Sequence, residues 1–251
     1  MNKLYIVGAG PGDPELITVK GQRLVNEADV IIYTGSLVPQ EVLTHAKADA
    51  KIYNSASMNL DEVLACIQEH HQEGKKIVRL HTGDPTIYGA IREQIDALEK
   101  LEIPCEVVPG VSSFTAAAAA IKKELTLPDV SQTIICTRLS GRTVVDEKES
   151  LASLASHRAT MAIFLSVDRI DKVCEELTTH YAKTTPVAVV QRATWPEQKV
   201  VFGTLETISE KVREAGIDKT AQILVGDFLG DEYALSKLYD REFAHGYRES
   251  K

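Results

Sequence analysis

The chain has 251 residues, 44% of them hydrophobic and 25% charged, with a formal net charge of −8 and a pI near 5.4. The length allows two cores of about 125 residues each, and the composition is that of a globular chain rather than a disordered one. An acidic balance without any block of consecutive basic residues argues against a nucleic-acid footprint or an anionic membrane surface.

Taken in chain order, short β-branched runs at 4–7, 30–33, 51–53, 76–80 and 105–108 predict strands separated by amphipathic segments. One helix is expected to begin at Asn59, whose side chain can cap it while Glu62 reaches back three residues later. Leu60, Val63, Leu64 and Ile67 form its apolar stripe, His70 and His71 complement its C-terminal dipole, and Gly74 closes it in a left-handed conformation. Alternation of this kind predicts a mostly parallel sheet with right-handed crossovers. The lysines and proline of 122–128 interrupt an alanine-rich helix, and the expected linker lies there, between domains 1–121 and 129–251. In the second half strands are expected at 133–137, 160–165, 186–191, 199–203 and 222–225. The seven residues between the third and fourth of these cannot hold a crossover helix, so that pair should be an antiparallel hairpin in a mixed sheet. The expected fold class is therefore two α/β domains, the N-terminal one mostly parallel and the C-terminal one mixed.

No apolar run approaches the ~20 residues needed to cross a bilayer, and because the first residues run straight into a predicted strand, no signal sequence is expected. Cys66, Cys105, Cys136 and Cys174 lack the paired spacing of a zinc or redox motif. A cytoplasmic protein with reduced thiols is expected, and with no His pair at i and i+4 beside a glutamate, no protein-bound metal.

Three loops follow predicted strands. Gly8-Ala9-Gly10-Pro11-Gly12-Asp13-Pro14 lets backbone approach a ligand closely. It lacks the third glycine of a dinucleotide fingerprint, and Tyr33 and Thr34 stand where an acidic ribose ligand belongs, which disfavours a nicotinamide enzyme. A tight strand-to-helix turn with no ligand is the alternative reading of this loop. His81-Thr82-Gly83-Asp84-Pro85-Thr86-Ile87-Tyr88-Gly89 leaves the fourth strand where open α/β folds bind ligands, and its Asp84 can cap a helix or face a cation. Val108-Pro109-Gly110-Val111-Ser112-Ser113 precedes a helix whose free amides can hold a carboxylate.

In this order the three loops resemble those of the tetrapyrrole methyltransferases, the class III S-adenosylmethionine methyltransferases. The later segments 160–166, 186–194 and 220–226 extend the likeness over nearly the whole chain. The resemblance implies S-adenosylmethionine as methyl donor, folded into a cleft between the two domains, and a homodimer. Residue by residue it implies that Pro11, Gly83, Asp84, Ile87, Ser112, Ser113, Leu165, Ala193 and Ala221 border that cofactor. Segments 33–38, 137–143 and 191–196 resemble the branch whose acceptor is carbon 11 of precorrin-4 or cobalt-precorrin-4; any cobalt would then arrive inside the substrate. Methylation of uroporphyrinogen III is disfavoured because the Asp-Arg pair of that branch is missing after the second strand. A ligand-binding protein without catalysis is the alternative outside the enzymes.

A precorrin carries many carboxylates, so an acidic protein must concentrate positive charge where it enters. Arg138, Arg142 and Arg192, all in expected loops, suit carboxylates through their guanidinium forks, although each also fits an ordinary solvated surface. Tyr33, Tyr88 and Trp195 are candidates to lie against the macrocycle. A sulfonium needs no activation, so no indispensable base is expected; His81, the one histidine beside a motif, is the catalytic candidate by position.

Overall fold

The computed structural model describes residues 3–35, 37–141, 144–236, 243–244, 246 and 249. They form two compact units: one of 1–116 with 192–198, the other of 117–191 with 199–251.

The first unit is built on β1 (Leu4–Gly8), β2 (Val30–Tyr33), β3 (Lys51–Asn54), β4 (Ile77–His81) and β5 (Cys105–Val108), with helices α1 (Val19–Glu27), α2 (Leu60–Gln72), α3 (Ile91–Lys100) and the start of α4 (Ser113–Ala120). Its sheet runs β3-β2-β4-β1-β5, and every pairing in it is parallel. Side chains alternate across a strand, so the sheet has two buried faces, as parallel sheets must. Val7, Ile31, Val78, Leu80 and Val108 pack with Leu24 and Val25 of α1 on one. On the other, Ile6, Ile32 and Ile77 pack with Val63 and Ile67 of α2 and Leu98 of α3.

Helix α2 forms as its sequence dictates. Asn59 accepts from the Glu62 backbone while the Glu62 side chain accepts from Asn59, closing the capping box, and Gly74 takes φ +72° beyond the far end. His70 does not serve the dipole from the surface. It is fully buried, with Nε2 2.9 Å from the Tyr53 hydroxyl and Nδ1 3.1 Å from Glu73 Oε2. Its spacing explains this: Val63, Ile67 and His70 lie at i, i+4 and i+7 on the inward stripe.

The second unit carries β6 (Ile134–Arg138), β7 (Thr160–Phe164), β8 (Pro186–Gln191), β9 (Lys199–Thr204) and β10 (Ala221–Val225), with α5 (Leu151–Ala155), α6 (Ile170–Leu177) and α7 (Ile208–Glu214). The order is β6-β7-β10-β8-β9. β6 and β7 are parallel, whereas β7-β10, β10-β8 and β8-β9 are antiparallel. The sheet is thus mixed, and β8-β9 is the hairpin that the short connection demanded. Met161, Ile163, Val173, Leu177, Val189 and Ile223 centre its core. Among the described residues no helix is long and apolar enough to cross a membrane.

Candidate functional site

Adjacent strands β4, β1 and β5 end side by side, and the three glycine loops leave from those ends. They touch backbone to backbone. Gly10 and Gly83 form an antiparallel bridge, with Gly83 N donating to Gly10 O at 2.8 Å and Ala9 N to His81 O at 2.7 Å. A methyl group on Gly8 would meet Gly83 O at 2.6 Å and Gly110 Cα at 2.7 Å, and one on Gly110 would collide with Gly83 O more closely still. These are fixed backbone atoms, so only glycine fits. Gly83 is different: it needs glycine for its φ of +59°, whereas a methyl group there would make only ordinary van der Waals contacts with the third loop, at 3.7 Å from Ser113 N and 3.8 Å from Ser112 Cα and Val111 O.

Asp84 holds the second and third loops together. Its carboxylate accepts from Thr86 N at 2.8 Å, Thr86 Oγ1 at 2.5 Å and Gly110 N at 3.0 Å. Burial alone would raise its pKa, but these hydrogen bonds outweigh it and hold the carboxyl below its usual range. It does not cap α3, whose N-cap is Ala90 with no side-chain hydrogen bond. Ile87 sits in the same turn, its N–H donating to Asp84 O, and Ser112 is buried at the foot of α4.

The tip of the β8-β9 hairpin, 192–198, belongs to this unit and grips the first loop by side chains. Thr194 Oγ1 accepts from Asp13 N at 2.9 Å, and Trp195 Nε1 donates to Pro11 O at 2.9 Å. The indole also covers Gly12. Pro11 and Ala193 are buried beside these contacts. Arg192 lies over the Trp195 ring at 5.5 Å and 3.7 Å from Glu197. Trp195 is therefore occupied by the loop and by Arg192. Neither Thr194 nor Trp195 was recognisable from sequence as a clamp on the first loop.

The remaining candidates are spread over both units. Tyr33 ends β2 and is buried among apolar neighbours, whereas Tyr88 is 44% exposed at φ +54°. In the second unit Leu165 is 58% exposed at φ +51° directly after β7, held by the next residue, whose Ser166 hydroxyl donates to Phe164 O and accepts from Leu139 N. Ala221 opens β10 opposite Gln191. Arg138 is the last residue of β6 rather than a loop residue, and its Nε is buried without a hydrogen-bond partner. Arg142 lies outside the described residues.

Positive φ costs about 1 to 3 kcal/mol for a residue with a Cβ and concentrates where function over-determines the backbone. Of ten such described residues, Tyr88, Leu165, Arg192, Thr194 and Thr220 fall in the segments that carry the family likeness, and Ala90 follows one directly. The strain thus marks the same segments as the motifs.

His81 is 6% exposed; burial first, and the Arg79 charge second, push its pKa down to about 3, so it is neutral at physiological pH and only weakly basic. Its Nε2 is buried without a partner. Arg79, two residues earlier on the same strand, is a buried cation that sequence reasoning passed over, although a charge inside an otherwise apolar strand was a visible signal. Away from the loops, Glu69, His70 and Glu73 could bring one ligand atom each within 4.8 Å, but both His70 nitrogens are already engaged.

A family model described as Tetrapyrrole (Corrin/Porphyrin) Methylases matches residues 3–209. A cobalt-precorrin-4 C(11)-methyltransferase of Methanocaldococcus jannaschii is 58% identical over 250 residues, covering 99% of this chain and 96% of that one. A precorrin-4 C(11)-methyltransferase of Pseudomonas aeruginosa is 50% identical, with 98% of both chains covered. Among solved structures, a cobalt-precorrin-4 methyltransferase of cobalamin biosynthesis matches with a TM-score of 0.89 and 47% identity, over 91% of this chain and 96% of that one.

Proposed function

From the premise that the chain belongs to the tetrapyrrole (corrin/porphyrin) methylase family, we infer that it transfers a methyl group from S-adenosylmethionine to carbon 11 of precorrin-4 or cobalt-precorrin-4, in cobalamin biosynthesis. The observation that carries this reading is 58% identity, along almost the full length of both chains, to a cobalt-precorrin-4 C(11)-methyltransferase.

The reaction is a displacement at a methyl carbon. A π electron pair of the macrocycle forms the new bond at C11 as the methyl–sulfur bond breaks, and its electrons stay on sulfur in S-adenosylhomocysteine. The positive charge passes from the sulfonium to the conjugated ring. No proton need be removed before the bond forms, so the protein's contribution is alignment and exclusion of water; holding two reactants in attack geometry supplies several kcal/mol. Interlocked loops suit that task. Gly83, with Pro11, Asp84, Ile87, Ser112, Ser113 and Ala193 on or beside the same loops, is assigned to the cofactor on the family pattern. Leu165 and Ala221 are assigned to it on the family pattern.

For the tetrapyrrole the reading takes Tyr33, Tyr88, Arg138, Arg142 and Arg192. Support for Arg138 comes from its unpartnered Nε, a donor that a carboxylate would satisfy. Arg192 is supported by its exposure at the hairpin tip, and Tyr88 by its exposure on a strained turn. The reading also includes a cytoplasmic location, in keeping with four free cysteines, functional domains 1–121 and 129–251, and a homodimer, which light scattering tests.

Incubation with S-adenosylmethionine and precorrin-4, with and without cobalt, followed by mass spectrometry, tests the acceptor. A gain of one methyl group on either form is the expected result. Binding of S-adenosylmethionine with neither form methylated would favour the ligand-binding alternative.

A further inference from the structure

Two buried side-chain nitrogens among the described residues lack a partner, and each ends a strand: Arg138 Nε on β6 and His81 Nε2 on β4. Buried polar atoms are nearly always satisfied, so an orphan needs an explanation. Around His81 the explanation has a direction. Val78 and Leu80 face α1, so Arg79 and His81 share the opposite face with Ile77, toward α2 and α3. Arg79 is 6% exposed, and its described hydrogen bonds go to neutral acceptors alone: Nη1 to Ile32 O at 3.2 Å and Nε to Gln94 Oε1 at 3.4 Å. Gln94 is itself tied to Ala90 O at 3.0 Å, at the start of α3. Among the described residues no carboxylate pairs with Arg79.

A buried guanidinium without an anion is costly, and so is a buried imidazole nitrogen without a hydrogen-bond partner. One group would relieve both: an anion with planar oxygens, arriving at the C-terminal end of β4 where open α/β sheets receive ligands. We propose that Arg79 and His81 form a carboxylate-receiving notch, with His81 Nε2 donating to the incoming carboxylate and Arg79 supplying its counter-charge. His81 is then a positioning residue acting through a hydrogen bond, not a base. Resting on the methyl-transfer reading, the notch has two possible sources of carboxylate: a side arm of the tetrapyrrole and the methionyl end of the methyl donor.

The test uses the full-length protein, with His81→Leu to remove the donor and His81→Gln to keep one. Wild-type turnover in the same assay checks the methyl transfer itself, separately from the notch. A hydrogen bond to a charged group corresponds to roughly 10- to 100-fold in affinity. If the arm belongs to the tetrapyrrole, His81→Leu raises its KM by about that factor, leaves the Kd for S-adenosylhomocysteine within about twofold, and is largely rescued in His81→Gln. If it belongs to the methyl donor, the S-adenosylhomocysteine Kd moves and the tetrapyrrole KM does not. Spectra of wild-type protein labelled with ¹⁵N-histidine provide a readout that no folding defect can confuse: the His81 Nε2 resonance shifts on addition of S-adenosylhomocysteine or of metal-free precorrin-4. An Nε2 resonance unmoved by both ligands overturns the proposal. So does an equal loss of both affinities in step with thermal stability and without rescue by glutamine.

Discussion

The first loop is held from two sides by two kinds of contact. Toward β4 and β5 it meets Gly83 and Gly110 main chain against main chain, whereas toward the hairpin tip it is held by the side chains of Thr194 and Trp195. Backbone contacts of this sort tolerate no added atom, because neither partner can rotate away. Side-chain contacts yield, since an indole or a hydroxyl can shift by a few tenths of an ångström. The glycine side therefore sets the geometry of the first loop, and the hairpin side tunes it.

The largest expected effect falls on the rigid side. Gly110→Ala places a methyl group against Gly83 O and Gly8, and overpacking against immovable backbone should cost about 3 kcal/mol or more. Urea titration should show that loss, with S-adenosylhomocysteine binding lost in the surviving fold. Stability near wild type would break the contrast.

Next comes Asp84→Ala, which frees Gly110 N and both Thr86 donors and should cost roughly 1.5 to 3 kcal/mol. Because the folded carboxyl titrates below its usual value of 3.8, its contribution is fully present above that value and is lost as the pH falls through the lower folded pKa. The variant should accordingly lose less stability than wild type in that acid range.

On the yielding side, Trp195→Phe removes the hydrogen bond to Pro11 O and should cost about 1 kcal/mol. Gly12→Ala, which collides with the Trp195 side chain rather than with backbone, should cost less than Gly110→Ala and should be partly relieved by Trp195→Ala, a non-additivity that a double-mutant cycle measures. The smallest effect is expected on the chemical step. His81→Ala, with both ligands prebound, should slow single-turnover transfer by less than about 10²-fold, below the range typical of a positioned base. Since the His81 pKa in the unliganded protein is pushed down to about 3, the wild-type kcat/KM, which reports free-protein groups, should show no inflection from it between pH 5 and 8.

The sequence was most informative where local chemistry dictates local structure. The strands at 30–33, 105–108 and 186–191 have the bounds their β-branched runs predict, and the others differ by a residue at one or both ends. The Asn59 capping box and the β8-β9 hairpin follow from spacing alone. What stayed hidden depends on residues far apart in the chain. That Gly8 and Gly110 exclude each other's side chains follows from the parallel pairing of β1 with β5, whose partners lie 101 positions apart in sequence. Asp84 offered a cap or a carboxylate facing a cation, and the brace to Gly110 N was not among the readings the sequence suggested. His81 was the catalytic candidate by position alone, and burial beside Arg79, which the chain order does not show, leaves it a weak base. Arg138 reads as a loop residue until the pairing of β6 with β7 carries the strand through it.

The most direct test of the account is a single-turnover reaction with S-adenosylmethionine labelled with ¹³C in its methyl group, using precorrin-4 and cobalt-precorrin-4 as acceptors, followed by NMR of the product. The account predicts one labelled methyl group, bonded to C11, formed together with one equivalent of S-adenosylhomocysteine. Label on any other ring carbon, or S-adenosylhomocysteine released without labelled product, would contradict it.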